Sequence, residues 1–408
     1  MIRSSKHTLK FTNTNKLVKL RIFCENYRNM VQKYVNIIWH NQTTTSLLSS
    51  TTCNLITTNV EYDSRIRQCA AKQACSMVNA VLAKQNKRLH KLKQLQNEGK
   101  NTTYLQRKID TTDFAKPDCS KINIELDSRF VNFEEGNHFD LFIEVEQIGD
   151  KQSFRLPINH TKVSNKWKQE GNLKQSIRLN ENRLTLYFEV EKVKGNGVNV
   201  LGADQGQVTC LTLSDGQVTK SNKDGYDLNK IQGILSRRKK GSNGFRKAQA
   251  HRKNYINWSL NQLNFDNIKE VRLERILNIR KGKRSSRKLS HWTYTLIKNK
   301  LIGLSEDKGF VLTEQDNKFR SQRCSQCGFT HKSNRLAKTF RCKNTNCRMT
   351  TDSDLNAACN HEVDLCEVPN WVCKQQVNRS TGFYWLKDGV VVCQERIVPD
   401  VASSHILQ

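Results

Sequence analysis

The chain has 408 residues, of which 36% are hydrophobic, and 68 Lys and Arg residues against 38 Asp and Glu residues give it a net charge of +30. This length allows two or three domains, and so large a positive charge repels itself unless a polyanion neutralises it. We therefore expect nucleic acid as the partner, with an anionic membrane surface as the alternative. A membrane-spanning protein is excluded at this stage, since no run of about 18 apolar residues is present.

The compartment is predicted from the start of the chain and from its cysteines. Ser4 and Lys6 lie in a polar start that does not resemble a signal peptide. The 14 cysteines are scattered or clustered at a metal-binding spacing, unlike those of small disulfide-rich secreted domains. We expect an intracellular, reducing compartment, which in a prokaryote means the cytoplasm or the nucleoid.

Residues 1–197 are predicted to form a β-rich recognition lobe with a helical insertion at about residues 60–110. Apolar residues recur at helical spacing over 60–96, and we expect this helix to continue past Gly99 into 104–109. Its other face is basic and carries Lys84, Lys87, Arg88, Lys91 and Lys93. Strands are predicted at 122–126, 141–145, 153–156 and 183–191. Phe11, Trp39 and Trp167 could stack on bases, although each is more typical of a core residue.

From residue 198 the pattern changes to that of an α/β domain. An apolar strand over 198–203 ends at Asp204, and a hairpin turn at Asp215-Gly216 separates strands over 208–213 and 217–220. Helical patterns that begin near residues 228 and 245 follow, then a strand over 271–276 and a helix over 294–304. This order of an antiparallel meander, helices, a strand and a further helix is typical of an RNase H-like fold.

Two cysteine pairs predict a structural zinc site. Cys324 and Cys327 precede Cys342 and Cys347 at the spacing of a zinc ribbon, in which two turns each supply two thiolates to one tetrahedral ion. A closed four-cysteine site leaves no open coordination position, so this zinc should contribute to folding and not to chemistry.

Three carboxylates are candidates for a magnesium site. Asp204 ends one strand, Glu274 lies in another, and Asp354 follows the ribbon at the start of a predicted helix. Carboxylates from separate elements can hold two Mg²⁺ ions for phosphodiester hydrolysis. Taken singly, Asp204 could start a turn, Glu274 could be a surface residue and Asp354 could be a helix N-cap.

Together these motifs resemble the TnpB family, transposon-encoded RNA-guided endonucleases that are related to compact type V CRISPR effectors. Gly202-Ala203-Asp204-Gln205-Gly206 is similar to the first RuvC motif, and Val271-Arg272-Leu273-Glu274-Arg275-Ile276 is similar to the second. The ribbon introduction is matched by Arg320-Ser321-Gln322-Arg323-Cys324, and the third motif by Asp354-Leu355-Asn356-Ala357-Ala358-Cys359-Asn360. The likeness covers about residues 198–362, with departures at Ala203 and at Arg320.

The resemblance implies a bilobed protein with an N-terminal β-barrel-like module and a C-terminal RuvC-type nuclease that carries an inserted zinc ribbon. The predicted boundaries are 1–197 for the recognition lobe, 198–320 and 349–363 for the nuclease, 321–348 for the ribbon and 364–408 for a tail without an assigned role. Asp204, Glu274 and Asp354 would bind magnesium, with Asp352 as an alternative to Asp354. Cys359 and His361 are interpreted as helix residues and not as further ligands.

The function implied is Mg²⁺-dependent, RNA-guided cleavage of DNA, with the N-terminal half binding a guide RNA. We further hypothesise that Arg335, Lys338, Arg341 and Lys343 on the ribbon hold the target strand. Two other functions fit the residues: a guide-dependent DNA-binding protein that does not cut, and an unguided nuclease or recombination accessory with the same core. The oligomeric state stays open.

Overall fold

The computed structural model describes residues 1–41, 64–111, 115–146, 153–277, 291 and 294–392. They form two compact units, Met1–Glu191 and Lys192–Gln408, which we describe separately. Across these described ranges no helix is at once long and apolar enough to span a bilayer. The predicted helix start at residue 60, together with Cys53 and Cys393, lies outside the described residues.

The first unit contains seven strands and four helices within its described residues. The strands are β1 (Ile2–Thr8), β2 (Ile124–Leu126), β3 (Val131–Glu134), β4 (Leu141–Glu146), β5 (Ser153–Ile158), β6 (Gly171–Leu179) and β7 (Arg183–Val190). The helices are α1 (Thr14–Asn41), α2 (Ser64–Asn97), α3 (Thr103–Thr111) and α4 (Lys162–Glu170). The four predicted strands are present, and the sequence patterns missed β1, β3 and β6.

The expected barrel is wrong. The strands of the first unit form two antiparallel sheets, one in the order β1-β7-β6-β2 and one in the order β3-β4-β5, and no closed barrel is found among its described strands. Strands β1 and β2 are the edges of the first sheet and β3 and β5 those of the second, so neither sheet closes on itself, and helices bond to the chain directly before β2. Arg28 of α1 donates to the carbonyl of Ile122 at 2.9 Å, and Gln73 of α2 donates to that of Asn123 at 2.7 Å.

Helix α1 was not predicted, although its sequence carries the signal. Leu20, Phe23, Tyr27, Val31 and Tyr34 recur at helical spacing and are buried in the same core as the two sheets. The predicted extension of α2 past Gly99 is also wrong. Gly99 has φ +60°, and the amides of Gly99 and Lys100 bond back to the carbonyls of Gln96 and Leu95, which closes α2 as a glycine C-cap before α3 begins.

The second unit contains a mixed sheet in the order β11-β10-β8-β9. Its strands are β8 (Asn199–Asp204), β9 (Thr212–Leu213), β10 (Ile268–Arg275) and β11 (Val311–Asp316), and its first helices are α5 (Leu228–Arg237), α6 (Asn243–Asn261) and α7 (Tyr294–Lys308). Strand β10 runs parallel to both β8 and β11, and β9 is antiparallel to β8. The predicted strand over 208–213 is reduced to two residues, 217–220 contributes a single bridge, and β11 was missed.

The ribbon and the chain that follows it form two small sheets and a helix that returns to the large sheet. The elements are β12 (Phe329–Thr330), β13 (Arg335–Leu336), β14 (Thr339–Arg341), β15 (Thr350–Asp352), α8 (Ser353–Glu362), α9 (Asn370–Lys374), β16 (Phe383–Trp385) and β17 (Val390–Val392). The C-terminal tail, to which no role was assigned from the sequence, forms α9, β16 and β17 in its described part. Its strand β16 pairs with ribbon strand β12, and the Arg323 side chain donates to the Trp385 carbonyl at 2.7 Å.

Candidate active site and zinc site

Two of the predicted carboxylates stand side by side at the carboxyl ends of parallel strands. The register of β8 against β10 pairs Ala203 with Leu273, so Asp204 and Glu274 follow as neighbours on the same face. The carboxyl end of a parallel sheet is where α/β domains place their ligands. Asp204 is 9% exposed, and among the described residues neither carboxylate forms an ion pair.

Burial raises the pKa values of both of these acids. The pKa of Asp204 is raised well above its usual range, first by burial and then by the negative charges of Glu274 and Asp354. Burial likewise raises the pKa of Glu274 to about 7, although the Gln205 amide donates to Glu274 Oε1 at 2.9 Å and Asn317 also stabilises the anion. Two buried anions with so little compensation are unfavourable unless a cation joins them.

Asp354 enters the same region from the first turn of α8. Asp352 caps this helix, since its side chain accepts the amides of Asp354 at 2.8 Å and Leu355 at 3.1 Å. The N-cap role that we considered for Asp354 therefore belongs to Asp352. The Asp354 side chain is only 6% exposed and forms ion pairs with Lys338 and, at 3.5 Å, with Arg335.

The turn between β13 and β14 brings these ribbon cations to Asp354. Ala337 in that turn has φ +51°, and its carbonyl accepts the hydroxyl of Ser353 at 2.9 Å. The amide of Ser353 bonds to the carbonyl of Lys338 at 2.9 Å. The ribbon is thus fastened to the first residue of α8, which explains how the segment with the four-cysteine cluster can contribute charged groups to a site on the large sheet.

Helix α8 lies directly on β8 because Gly202 has no side chain. A Cβ at this position would lie 1.9 Å from the carbonyl oxygen of Ala358. The two asparagines of the third motif hold the other side of the helix. Asn356 and Asn360 are fully buried and donate to the carbonyl of Arg323 at 2.8 and 2.7 Å, directly before the first cysteine pair. The motif therefore has a structural explanation besides its carboxylate.

His361, which we interpreted from the sequence as a helix residue and not a ligand, lies on α8 as expected and also faces the two strand carboxylates. It lies seven residues after Asp354 on α8, and one of its ring nitrogens lies within 4.8 Å of carboxylate oxygens of both Asp204 and Glu274. Its side chain is buried, and burial lowers its pKa to about 3. The signal that could have found it is the seven-residue spacing, which returns a helix to the same face after two turns.

These groups line one cavity of about 460 Å³. Its walls contain Asp204, Gln205, Gly206, Gln207, Val208, Glu274, Ile276, Asn317, Ser321, Arg335, Ala337, Lys338, Asp354 and His361. All three predicted carboxylates therefore share a cavity, with Asp354 lying outside the tight cluster formed by Asp204, Glu274 and His361. A cavity with acidic walls and a basic margin can bind a divalent cation together with a phosphate.

The four predicted zinc ligands meet at one point. Sulfur atoms of Cys324 and Cys347 lie 3.7 Å apart, as do those of Cys327 and Cys342, and all four lie within 4.8 Å of one another. Thiolates at about 2.3 Å from a tetrahedral zinc ion lie about 3.8 Å apart, so this cluster has the dimensions of a zinc site.

The four ribbon cations of our strand-holding hypothesis divide into two pairs. Arg335 and Lys338 face the cavity, whereas Arg341 and Lys343 are exposed on the ribbon surface. In the first unit, the predicted basic face of α2 is accessible: Lys84, Lys87, Lys91 and Lys93 are exposed, and Arg88 is half-buried.

Of the aromatic residues considered for base stacking in the first unit, only Phe11 is substantially exposed, at 39%. Trp167 is buried, and Trp39 packs against the core.

Comparison with known proteins places this site in a family context. Residues 294–361 match the Cas12f1-like TNB domain. Over 150 residues the chain is 31% identical to the CRISPR-associated endodeoxyribonuclease Cas12f1 of Sulfoacidibacillus thermotolerans, a match that covers 36% of this chain and 34% of that protein. The matched segment thus spans about a third of the relative's length.

Solved structures extend the likeness beyond this segment. The cryo-EM structure of a Cas12f1–sgRNA–target DNA complex aligns with a TM-score of 0.52 at 14% identity, over 84% of this chain and 81% of that one, which shows a shared fold. CasPhi-2 (Cas12j) bound to crRNA and phosphorothioate DNA aligns with a TM-score of 0.47 at 9% identity, over 88% of this chain and 91% of that one. The matches confirm the resemblance drawn from the motifs: this chain carries a Cas12f1-like TNB domain at residues 294–361 and shares the fold of a solved Cas12f1 complex.

Proposed function

We propose that this chain is an RNA-guided DNA endonuclease that hydrolyses target phosphodiesters at the cavity between β8, β10 and α8. The observation that carries the proposal is the convergence of Asp204, Glu274 and Asp354 from three separate elements, beside basic residues of a ribbon that contains a four-cysteine cluster. The 31% identity over 150 residues to the endodeoxyribonuclease Cas12f1 supports the same reaction.

The donor set fits divalent cations. Asp204 and Glu274 present buried oxygen ligands without an ion-pair partner in the described structure, and their raised pKa values reflect an anionic pair that a cation would stabilise. Asp354 would join them once its pairing with Lys338 and Arg335 is exchanged for a cation. Two bound Mg²⁺ ions supply activation of the attacking water and stabilisation of the leaving oxygen.

The remaining residues of the cavity would orient the substrate. Arg335 and Lys338 are long, cationic and adjacent to the carboxylates, so a phosphate that enters the cavity replaces Asp354 as their partner. Gln205 and Asn317 hold the Glu274 carboxylate in place through its hydrogen bonds. The exposed Arg341 and Lys343 would bind the strand further from the scissile bond.

The first unit would bind the guide RNA and its heteroduplex with the target. Its exposed basic helix face suits a nucleic-acid backbone, while base pairing with the guide supplies sequence specificity. The same arrangement accounts for the net charge of +30, which is spread over the whole chain.

A plasmid cleavage assay tests this function. The wild-type protein, loaded with the RNA encoded beside its gene and supplied with Mg²⁺, should cut a plasmid that carries the matching target. Asp204→Asn should retain RNA and target binding and lose cleavage by a factor on the order of 10³ or more, because several kcal/mol of charge stabilisation depend on this site. Asp215→Asn, which removes an exposed carboxylate in the turn after β9, is the matched control and should cut normally.

Two outcomes would contradict the proposal. Stable RNA and target binding without any cleavage by the wild-type protein would assign a guided binding protein. Cleavage that persists after the RNA has been digested would assign an unguided nuclease.

A further inference from the structure

We infer that His361 is a nitrogen ligand for a divalent cation in the proposed nuclease site, and that it makes this site prefer Mn²⁺ over Mg²⁺. The inference rests on the proposed function in so far as both use the same cavity. It adds a donor of a different chemical kind to the three carboxylates that the sequence motifs identify.

The position of the ring is the first argument. One of its nitrogens and the carboxylate oxygens of Asp204 and Glu274 all lie within 4.8 Å of one another, so a single cation can contact all three side chains. Asp354 lies outside this cluster, since Lys338 and Arg335 hold its carboxylate. Among the described His, Cys, Asp and Glu side chains, the group that clusters with the two strand carboxylates in this conformation is therefore an imidazole.

The second argument is an unpartnered polar atom. His361 is 1% exposed, and its Nδ1 is buried without a hydrogen-bond partner in the described part of the chain. Buried side-chain nitrogens in folded proteins almost always have a partner, and a lone one costs free energy. Histidine ligands commonly bind the metal through one ring nitrogen and an acceptor or a water through the other, so cation binding together with a water would satisfy the whole ring.

The third argument is that the fold holds this ring where it is. Side chains of a helix tilt toward its N-terminus, so the imidazole of His361 leans toward the Asp354 end of α8. The close packing at Gly202 fixes the distance of the helix from β8, since a Cβ there would lie 2.8 Å from the carbonyl carbon of His361. Asn360, the preceding residue, is fully buried and anchored by hydrogen bonds to the carbonyls of Arg320 and Arg323 at 3.0 and 2.7 Å.

The chemistry of the donor set gives the predicted preference. Mg²⁺ takes oxygen ligands and keeps several waters, whereas Mn²⁺ accepts oxygen ligands and is also the first member of the first-row series whose affinity for sites with nitrogen donors rises toward Cu²⁺. A site of two carboxylates and one imidazole should therefore prefer Mn²⁺ over Mg²⁺ more strongly than a site made only of oxygen ligands does. Loss of the imidazole should weaken Mn²⁺ binding by about tenfold or more, and should change Mg²⁺ binding much less.

The test measures metal binding directly on the full-length protein without nucleic acid. Metal-free protein is titrated with Mn²⁺, free ion is followed by electron paramagnetic resonance, and Mg²⁺ affinity is obtained by competition. Pulsed spectra of the Mn²⁺-loaded protein then report nitrogen coupled to the ion, and labelling with ¹⁵N-histidine identifies the nitrogen as imidazole. His361→Ala and the oxygen-donor variant His361→Gln should both lose this coupling. His251→Gln, at a histidine on α6 outside the cavity, is the control and should retain it.

Nitrogen coupling in the wild-type protein that disappears in both His361 variants is the expected result. The inference is overturned if stoichiometric Mn²⁺ shows no histidine coupling in the wild-type protein, a measurement that does not depend on whether the variants fold. It is also overturned if correctly folded His361→Gln binds Mn²⁺ as tightly as the wild-type protein does. Guided cleavage in Mg²⁺ that survives such a result would leave the proposed function intact, whereas histidine coupling without any guided cleavage would refute only the function.

Discussion

Replacement of Glu274 by Gln should stabilise the metal-free protein at alkaline pH. The ordinary pKa of this side chain is 4.5, and burial raises it to about 7 in the folded state. The folded state thus holds its proton to a higher pH than the unfolded state does, so stability falls as the pH rises from about 4.5 to about 7 and the full cost is present above that window. Glutamine keeps the size of the side chain and an acceptor for the Gln205 amide, but it has no charge to bury.

The magnitude follows from the width of this window. A difference between 4.5 and about 7, at roughly 1.4 kcal/mol for each pH unit, corresponds to about 3 kcal/mol at pH 8. At pH 5 the difference should fall below about 1 kcal/mol, because Glu274 is then protonated in the folded state. For a unit of roughly 200 residues, about 3 kcal/mol raises the melting temperature by roughly 6–12 °C.

The assay is thermal unfolding in EDTA at pH 5 and pH 8, with Glu367→Gln as the control at an exposed position of the same unit. Added Mg²⁺ should reverse the order at pH 8, because the wild-type site gains a bound cation and the variant has lost a ligand. Equal melting temperatures for the wild-type protein and Glu274→Gln at pH 8 in EDTA would refute the electrostatic account of this site. The same conclusion would follow if Glu367→Gln raised the melting temperature as much.

The remaining predictions concern Gly202, the four-cysteine cluster and the exposed ribbon cations. Gly202→Ala should lower the melting temperature and abolish cleavage, because the added Cβ would lie 1.9 Å from the carbonyl oxygen of Ala358. Gly303→Ala on α7 is the control and should be neutral or stabilising, because a Cβ added there would meet nothing of the described structure within 4 Å beyond its chain neighbours and its own helix backbone. Normal cleavage by Gly202→Ala would show that α8 need not lie against β8. Cys342→Ala should reduce the zinc content by one ion per chain, as measured by atomic emission, and destabilise the ribbon, as measured by limited proteolysis. Cys373→Ala, outside the cluster, should change neither. An unchanged zinc content in Cys342→Ala would remove Cys342 from the ligand set. Charge reversal at Arg341 and Lys343 should weaken DNA binding and reduce the slope of log Kd against log salt concentration by up to about two. Lys374→Glu is the surface control and should leave this slope unchanged. An unaltered salt slope would exclude this ribbon face from the DNA interface.

The parts of the site that local patterns determine were predicted from the sequence. Asp204 was recognisable because it ends an apolar strand, and the four cysteines because their spacing is that of a ribbon. What local patterns do not contain is the register between distant strands. That Asp204 and Glu274 are direct neighbours depends on the parallel pairing of β8 with β10, two strands separated along the chain by β9 and two helices.

The errors in the first unit have a related cause. The barrel-like module was implied by the family resemblance, and strand patterns alone do not show whether an edge strand pairs with a further strand. Here Arg28 and Gln73 on two helices donate to the carbonyls of Ile122 and Asn123, directly before the edge strand β2. Likewise, Phe383 and Trp385 in the tail gave no interpretable signal, because their short strand is defined by its pairing with β12 in the ribbon on one side and with β17 on the other.

The identity of the bound RNA tests the central claim most directly. The protein is purified from cells that contain its native locus, washed at high salt, and the RNA that remains bound is sequenced. We predict one dominant species with a constant scaffold and a variable end, and a plasmid that carries the complement of that end should be cut by the complex in Mg²⁺. A heterogeneous mixture of cellular RNA, or no RNA at all, would contradict an RNA-guided enzyme.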